Sequence, residues 1–336
     1  MPVTYQGLVV ENTSACNAKC RMCYQAAGPT GSDILGKASL SPEQVEILLA
    51  DALHIPSLAR RFHLAGGEAF LRPADCFRLF RTARSLGYED ITTTTNAYWA
   101  YTPNRAAAIC QEARDAGLRR MEISWDFWHL DHIRADCVSN ALEAGARFGI
   151  STVLRILTTQ SHSIAEALSH LRPDALELAT EIQSCPVFPT GRAASEIPPD
   201  DIFYGQDLGG NCHAILHLTV NARGNVYPCC AGADQTQGLS FGNIHQESIR
   251  DIAVRMNSSR LLRTLVFFGV GALEPILREH GVQLGDRFSN ICHLCWEIFS
   301  RPERAAIVHQ FFREQELHEA QRLEQLLPIL QSAQES

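Results

Sequence analysis

Short runs rich in β-branched and apolar residues recur through the first half of the chain. Most are followed by a stretch whose apolar residues return every three or four positions. The first kind reads as strand: GLVVEN, RFHLAGG, DITTTTN, RRMEISW, STVLRIL and LELATEIQ. The second reads as amphipathic helix: SPEQVEILLADAL, NRAAAICQEARDAG and CVSNALEAGARFG. Between residue 4 and about residue 183 the alternation amounts to six β/α units. The punctuation agrees, with Ser41-Pro42 opening a helix as cap and first-turn proline and Gly117 and Gly149 standing where helices should stop. Strands joined by helical crossovers run parallel, as an open doubly wound sheet or as a barrel, and periodicity does not choose between them. In both, function belongs at the C-terminal strand ends.

The pattern changes at PVFPTGRAASEIPPDDIFYGQDLGG, a Pro/Gly-rich connection over residues 186–210. ILHLTVNARGNVYPCC follows, two β-prone runs around a turn with Asn221 and Gly224, which reads as a hairpin opening a second, cysteine-bearing unit. That unit ends near ICHLCW, and RPERAAIVHQFFREQELHEAQRLEQLLPILQ keeps helical spacing throughout, as a docking helix would. The expected division is a core over 1–200, a cysteine domain over 201–300 and a helical tail over 301–336.

Composition narrows the function. The 336 residues are 46% hydrophobic and 20% charged, as in ordinary globular proteins. No apolar run approaches the roughly 18 residues of a membrane span. MPVTYQGLVVENTSAC lacks the features of a signal peptide, so the expectation is a cytoplasmic protein without a membrane partner. A net charge of -8, with Arg60-Arg61 and Arg119-Arg120 as pairs and not a basic stripe, argues against nucleic acid. Twelve cysteines in a reducing compartment point to metal or redox chemistry in preference to disulfides.

Three of them, in CNAKCRMCY, arrive as C-x3-C-x2-C: Cys16, Cys20 and Cys23, in the loop after the first strand. A closed metal site wants four protein ligands, and no fourth follows. Core cysteines, or zinc completed by a distant histidine, are the plain alternatives. The spacing, followed by Tyr24, resembles the radical S-adenosylmethionine (radical SAM) superfamily. The resemblance implies a [4Fe-4S] cluster held at three irons, whose fourth iron takes the amino and carboxylate groups of SAM. It also implies reductive cleavage of SAM to a 5'-deoxyadenosyl radical that abstracts a substrate hydrogen, and an electron donor such as flavodoxin or ferredoxin. The family commonly has an aromatic where this chain has Met22, a flexible thioether able to pack near an adenine.

LAGGEAFL, at the end of the second strand, resembles the family's motif for the SAM amine: Gly66 and Gly67 allow close backbone approach, and Glu68 offers a carboxylate. In ISWDFWHLDH, Ser124 and Asp126 resemble positions that contact SAM or substrate, although Phe127 stands where the family often has glycine. Trp125, Trp128 and His129 are candidates to line the substrate pocket, or else ordinary core. PVFPTGRA is also similar to a segment the family carries after the barrel. The resemblance, not the periodicity, selects a partial (β/α)6 TIM-like barrel with a small C-terminal twitch domain (hairpin plus helix) and a C-terminal helix.

Cys212, Cys229, Cys292 and Cys295 form the second set, and spacing alone allows zinc or an iron–sulfur cluster. The C-x11-G-x4-C pattern followed by C-x2-C resembles the SPASM/twitch extension of radical SAM enzymes, implying one auxiliary [4Fe-4S] cluster. Cys230 abuts Cys229 and is either the ligand or a spare thiol. Twitch-type epimerases return a hydrogen atom from a free cysteine, which makes Cys185 and Cys230 candidate donors; Cys76, Cys110 and Cys137 carry no assigned role. The expected activity is oxidation, crosslinking or epimerisation of a small molecule or peptide. Only fifteen residues precede Cys16, leaving no room for a fused leader-binding domain and favouring a small molecule. The alternative is a zinc-binding structural or interaction protein using both cysteine groups.

Overall fold

The computed structural model describes residues 3–205, 210–212, 216–230 and 236–334. Residues 206–209 of the connection, and Ile215 at the start of the hairpin run, lie outside them. Six parallel strands carry the first half: β1 (Leu8–Glu11), β2 (Arg61–Ala65), β3 (Asp90–Thr95), β4 (Arg120–Ser124), β5 (Ser151–Thr158) and β6 (Glu181–Pro186). The crossovers are α1 (Pro42–Ala52), α2 (Pro73–Ser85), α3 (Pro103–Ala116), α4 (Ala135–Arg147), and the short α5 (Ile164–Ser169) and α6 (Pro173–Leu176). The sheet runs β6-β5-β4-β3-β2-β1 and does not close. The partial barrel that the resemblance implied is therefore the architecture observed.

The helix signals act as read. Ser41 caps α1 through a reciprocal capping box with Gln44, and Gly117 and Gly149 take positive φ of 122° and 66° where α3 and α4 end. The strand read in LELATEIQ begins later than expected. Leu176 closes α6, whose first residue is Pro173, and only Glu181–Pro186 pairs with β5.

Alternation gives the sheet two unlike faces. Phe62, Leu64, Met121, Ile123, Leu154 and Ile156 pack into the main core under the helices. The residues between them, His63, Thr92, Thr94, Glu122, Arg155 and Gln183, line the inner face. There His63 Nδ1 lies 2.7 Å from Thr92 Oγ1 and Nε2 lies 2.9 Å from Thr94 Oγ1. Arg120 donates to Glu122 at 2.6 Å, and Arg155 reaches Glu122 at 3.5 Å and pairs with Gln183.

The expected hairpin is β7 (Leu218–Val220) and β8 (Asn225–Tyr227), turned by Asn221, whose Oδ1 accepts from the N–H groups of Arg223 and Asn225, and by Gly224 at φ 80°. It does not stand apart: β7 pairs in parallel with β1, and β9 (Gly242–Asn243) extends the sheet to nine strands. A second core, including Tyr227, Leu261, Leu273, Leu294 and Phe299, forms beyond it. This core gathers α7 to α12, of which the last five are α8 (Ile249–Ser258), α9 (Arg260–Phe268), α10 (Glu274–Glu279), α11 (Ile291–Phe299) and α12 (Pro302–Gln334), only in part: α7 (Ala193–Glu196) and α8 pack on the main core instead. Ala305 and Val308 of α12 are buried in the second core, the docking expected of that helix. Among the described residues, no helix is long and apolar enough to cross a membrane.

Candidate active site

The C-terminal end of β1 opens into the cysteine loop. Cys16 and Cys20 are buried and Cys23 half-buried. Cys16 Sγ accepts from the Ala18 N–H at 3.4 Å and from Asn96 Nδ2 at 3.6 Å. The Ala26 N–H donates to Cys23 O at 3.1 Å, and the backbone N–H groups of Ala27, Gln25 and Ala26 lie near enough to the Cys23 thiol to oppose the effect of its burial. Burial, reinforced by the Glu68 carboxylate, pushes the Cys16 thiol up to about 12; burial likewise raises Cys20 and Cys23. These surroundings make the thiolate form depend on a cationic partner, and the amide N–H groups suit sulfurs that carry charge. The loop therefore fits a thiolate-ligated cluster.

The G-G-E segment lies directly against this loop. The Gly67 N–H donates to Thr13 O at 2.7 Å and the Glu68 N–H to Ala15 O at 2.9 Å. A Cβ on Gly67 would stand 2.3 Å from the Ala15 carbonyl oxygen, so only glycine fits. Glu68 is 1% exposed; its carboxylate accepts from Phe70 N, Thr95 Oγ1 and Asn96 N at 3.0, 2.8 and 2.7 Å. Burial nevertheless raises it to about 7. Its bonds join the ends of β2 and β3, so Glu68 also shapes the rim.

Asp126, 1% exposed, follows β4. Its Oδ1 accepts from Trp128 N at 3.2 Å and lies 2.8 Å from His129 Nδ1, while buried Oδ2 has no hydrogen-bond partner among the described residues. Asp126 is close enough to Cys20 to raise its pKa. Ser124 is half-buried at the end of β4, in register with Arg155. Tyr24 OH donates to Glu11 Oε1 at 3.5 Å, and Met22 is buried in the main core. Trp125 and Trp128 are both buried in that core, with Trp125 Nε1 donating to Ala167 O. His129 alone of the three is paired with a site carboxylate.

The second cysteine set also converges. Cys212, Cys229, Cys292 and Cys295 line one apolar cavity with Leu216, Pro228, Leu239, Leu262, Leu265 and Ile291. Cys292 and Cys295 lie on α11, capped by Asn290, whose side chain accepts from His293 N. Cys230 is not among the lining residues; burial pushes it up to about 12, and it lies near Cys229, Glu11 and Arg155. Cys185 is exposed at the end of β6, where burial of its sulfur raises it and Arg155 opposes. Among the described residues no three or more His, Cys, Asp or Glu side chains converge on a single metal ion. A four-iron cluster binds its thiolates through separate irons.

The resemblance placed PVFPTGRA after the barrel and assigned its residues no role, and the structure gives two of them work. Arg192, its side chain 3% exposed, reaches back from the segment after β6 into the cysteine loop. Gly191, at φ 62°, packs so closely that a Cβ would stand 2.2 Å from Tyr24 O.

Comparison with known proteins agrees with this geometry. Residues 10–172 match the radical SAM superfamily, and residues 212–296 match SPASM, an iron–sulfur cluster-binding domain. A GTP 3',8-cyclase of Trichormus variabilis is 34% identical over 113 residues, 33% of this chain and 31% of that protein. One of Moorella thermoacetica is 26% identical over 202 residues, 56% of this chain and 59% of that protein. The chain spans about a third of the length of the first curated relatives it matches, 31% to 35%. The solved structure of native anSMEcpe with bound AdoMet shares the fold, with a TM-score of 0.53 at 15% identity over 78% of this chain and 83% of that one.

Proposed function

Since the chain belongs to the radical SAM superfamily and carries a SPASM iron–sulfur domain, we propose that it transforms a small polar molecule held against the inner face of the open barrel. A four-iron cluster with SAM supplies reductive cleavage of SAM and abstraction of a hydrogen atom from substrate. Cys16, Cys20 and Cys23 would hold that cluster, and the auxiliary one would be held by Cys212, Cys229, Cys292 and Cys295, with Cys230 left free. Gly66 and Gly67 let the rim pack against the cysteine loop where SAM would bind, Glu68 and Asp126 offer carboxylates to its amine or ribose, and Ser124, Met22 and Tyr24 complete the surroundings.

The observation carrying the substrate reading is the inner face itself. His63, Thr92, Thr94, Glu122, Arg155 and Gln183 replace apolar packing with hydrogen-bonding groups. Such a wall favours a ligand with many polar atoms over an apolar side chain. The matched relatives are GTP 3',8-cyclases, which makes purine nucleotides the first compounds to try. Oxidation or crosslinking would use the auxiliary cluster as electron acceptor, whereas epimerisation would draw a hydrogen atom from Cys185 or Cys230. Reduced enzyme incubated with SAM and a nucleotide panel tests this: the expected result is substrate-dependent formation of 5'-deoxyadenosine with deuterium transferred from labelled substrate. Transfer from a peptide panel and from no small molecule would overturn it. Cys185→Ala and Cys230→Ala separate the routes, since an epimerase loses product while still making 5'-deoxyadenosine.

A further inference from the structure

Among the described residues, Arg192 makes the most side-chain hydrogen bonds of any cation. Its Nη1 donates to Cys20 O at 2.7 Å, and its Nη2 to Ala26 O at 2.7 Å and Ala27 O at 2.9 Å. Nε and Nη2 both bond Asp33 Oδ2, at 3.0 and 2.8 Å, and the backbone N–H donates to Cys23 O at 3.0 Å. Two of the three cysteines are thus held through their own carbonyls. Ala26 between the clamped carbonyls takes a φ of 51°, unusual for a residue with a side chain. The Ala26 N–H in turn donates to Cys23 O at 3.1 Å, so the stretch that the guanidinium grips is tied directly to the third cysteine.

We propose that Arg192 is a positioning residue for the core cluster, and that its buried charge, balanced by Asp33, tunes the cluster's reduction potential. The inference rests on the cluster reading of Cys16, Cys20 and Cys23. A cation behind the thiolates stabilises the more negative, reduced state, and net charge and hydrogen bonds to sulfur are among the levers that set such potentials. Asp33 is about half exposed, with a side-chain accessibility of 49% against 3% for Arg192, so water screens the carboxylate far more than the guanidinium. Glu196, whose Oε1 lies 3.9 Å from Arg192 Nε, is 40% exposed and screened likewise, so the two carboxylates do not cancel the guanidinium at the cluster. Because Arg192 follows β6 while the cysteines follow β1, the clamp also makes cluster geometry depend on the docking of the segment after the barrel.

The test uses the full chain, reconstituted anaerobically as wild type, Arg192→Gln, Arg192→Lys and Asp33→Asn. Iron per chain and an EPR-monitored redox titration without SAM are the readouts, after subtracting the signal of a Cys16/Cys20/Cys23→Ala variant. Arg192→Gln should lose iron at the core site and shift the remaining core midpoint to more negative potential. Arg192→Lys, which keeps the charge but not the fork, should lose iron while holding the midpoint near wild type. Asp33→Asn should retain iron and shift the midpoint upward. That variant keeps the proposal falsifiable even where Arg192→Gln fails to fold: a midpoint unmoved or lowered in Asp33→Asn overturns the electrostatic role. Full iron and an unchanged midpoint in Arg192→Gln overturn the proposal as a whole. Wild type with no iron attributable to the three cysteines would instead overturn the cluster reading beneath it.

Discussion

Backbone meets backbone at Gly191 and Gly67, and both contacts hold the cysteine loop. A methyl group at Gly191 would meet Tyr24 O and the Cys23 carbonyl at 2.2 and 2.5 Å, on a residue whose φ of 62° already disfavours a side chain. Gly191→Ala is expected to lose core-site iron while the auxiliary site keeps its own, measured as iron per chain in the presence and absence of the three core cysteines. His63 predicts a pH effect. Burial lowers its pKa from 6.5 to about 4, against an opposing pull from Glu122. The unfolded chain then binds more protons than the folded one between those values, so His63 costs stability as pH falls from about 6.5 through 4. Comparing melting temperatures of wild type and His63→Gln across that range should show a shallower acid decline in the variant; parallel curves would contradict the assignment. Glycine and arginine at 191 and 192 were visible in the sequence, but their role was not, because the cysteine-loop partners of Arg192 lie 159 to 172 residues earlier.

Elements were the most legible part of the chain. Apolar spacing and caps identified α1, α3 and α4, and alternation identified five of the six barrel strands with little displacement. Ser41 has a definite energetic consequence: Ser41→Ala removes a capping box and should destabilise the protein by about 1 kcal/mol, read from a denaturant midpoint. β6 was less legible because an apolar LELA run occupies the turn before it, while the strand itself is a largely exposed edge. The hairpin was readable from Asn221 and Gly224, but its parallel pairing with β1 was not. Turn chemistry is local, and the choice of partner strand is not. Trp125 and Trp128 show the same limit, since aromatic residues after a strand look alike whether they face helices or substrate.

At the scale of the molecule, one sheet connects both cysteine sets. β1 delivers Cys16 to Cys23 at its end and pairs on one side with β2, which carries the G-G-E segment, and on the other with β7, whose hairpin partner β8 leads to Cys229. The sequence contained each cysteine group and its spacing, whereas their convergence depends on this pairing and on α11 packing into the second core. Two sites should load independently within one fold, and an anaerobic iron and sulfide count with a SAM-cleavage assay tests this directly. Wild type should hold about eight irons. The Cys16/Cys20/Cys23→Ala variant should hold about four and form no 5'-deoxyadenosine from SAM and dithionite. Zinc in place of iron, or SAM cleavage that survives loss of the three cysteines, would contradict it.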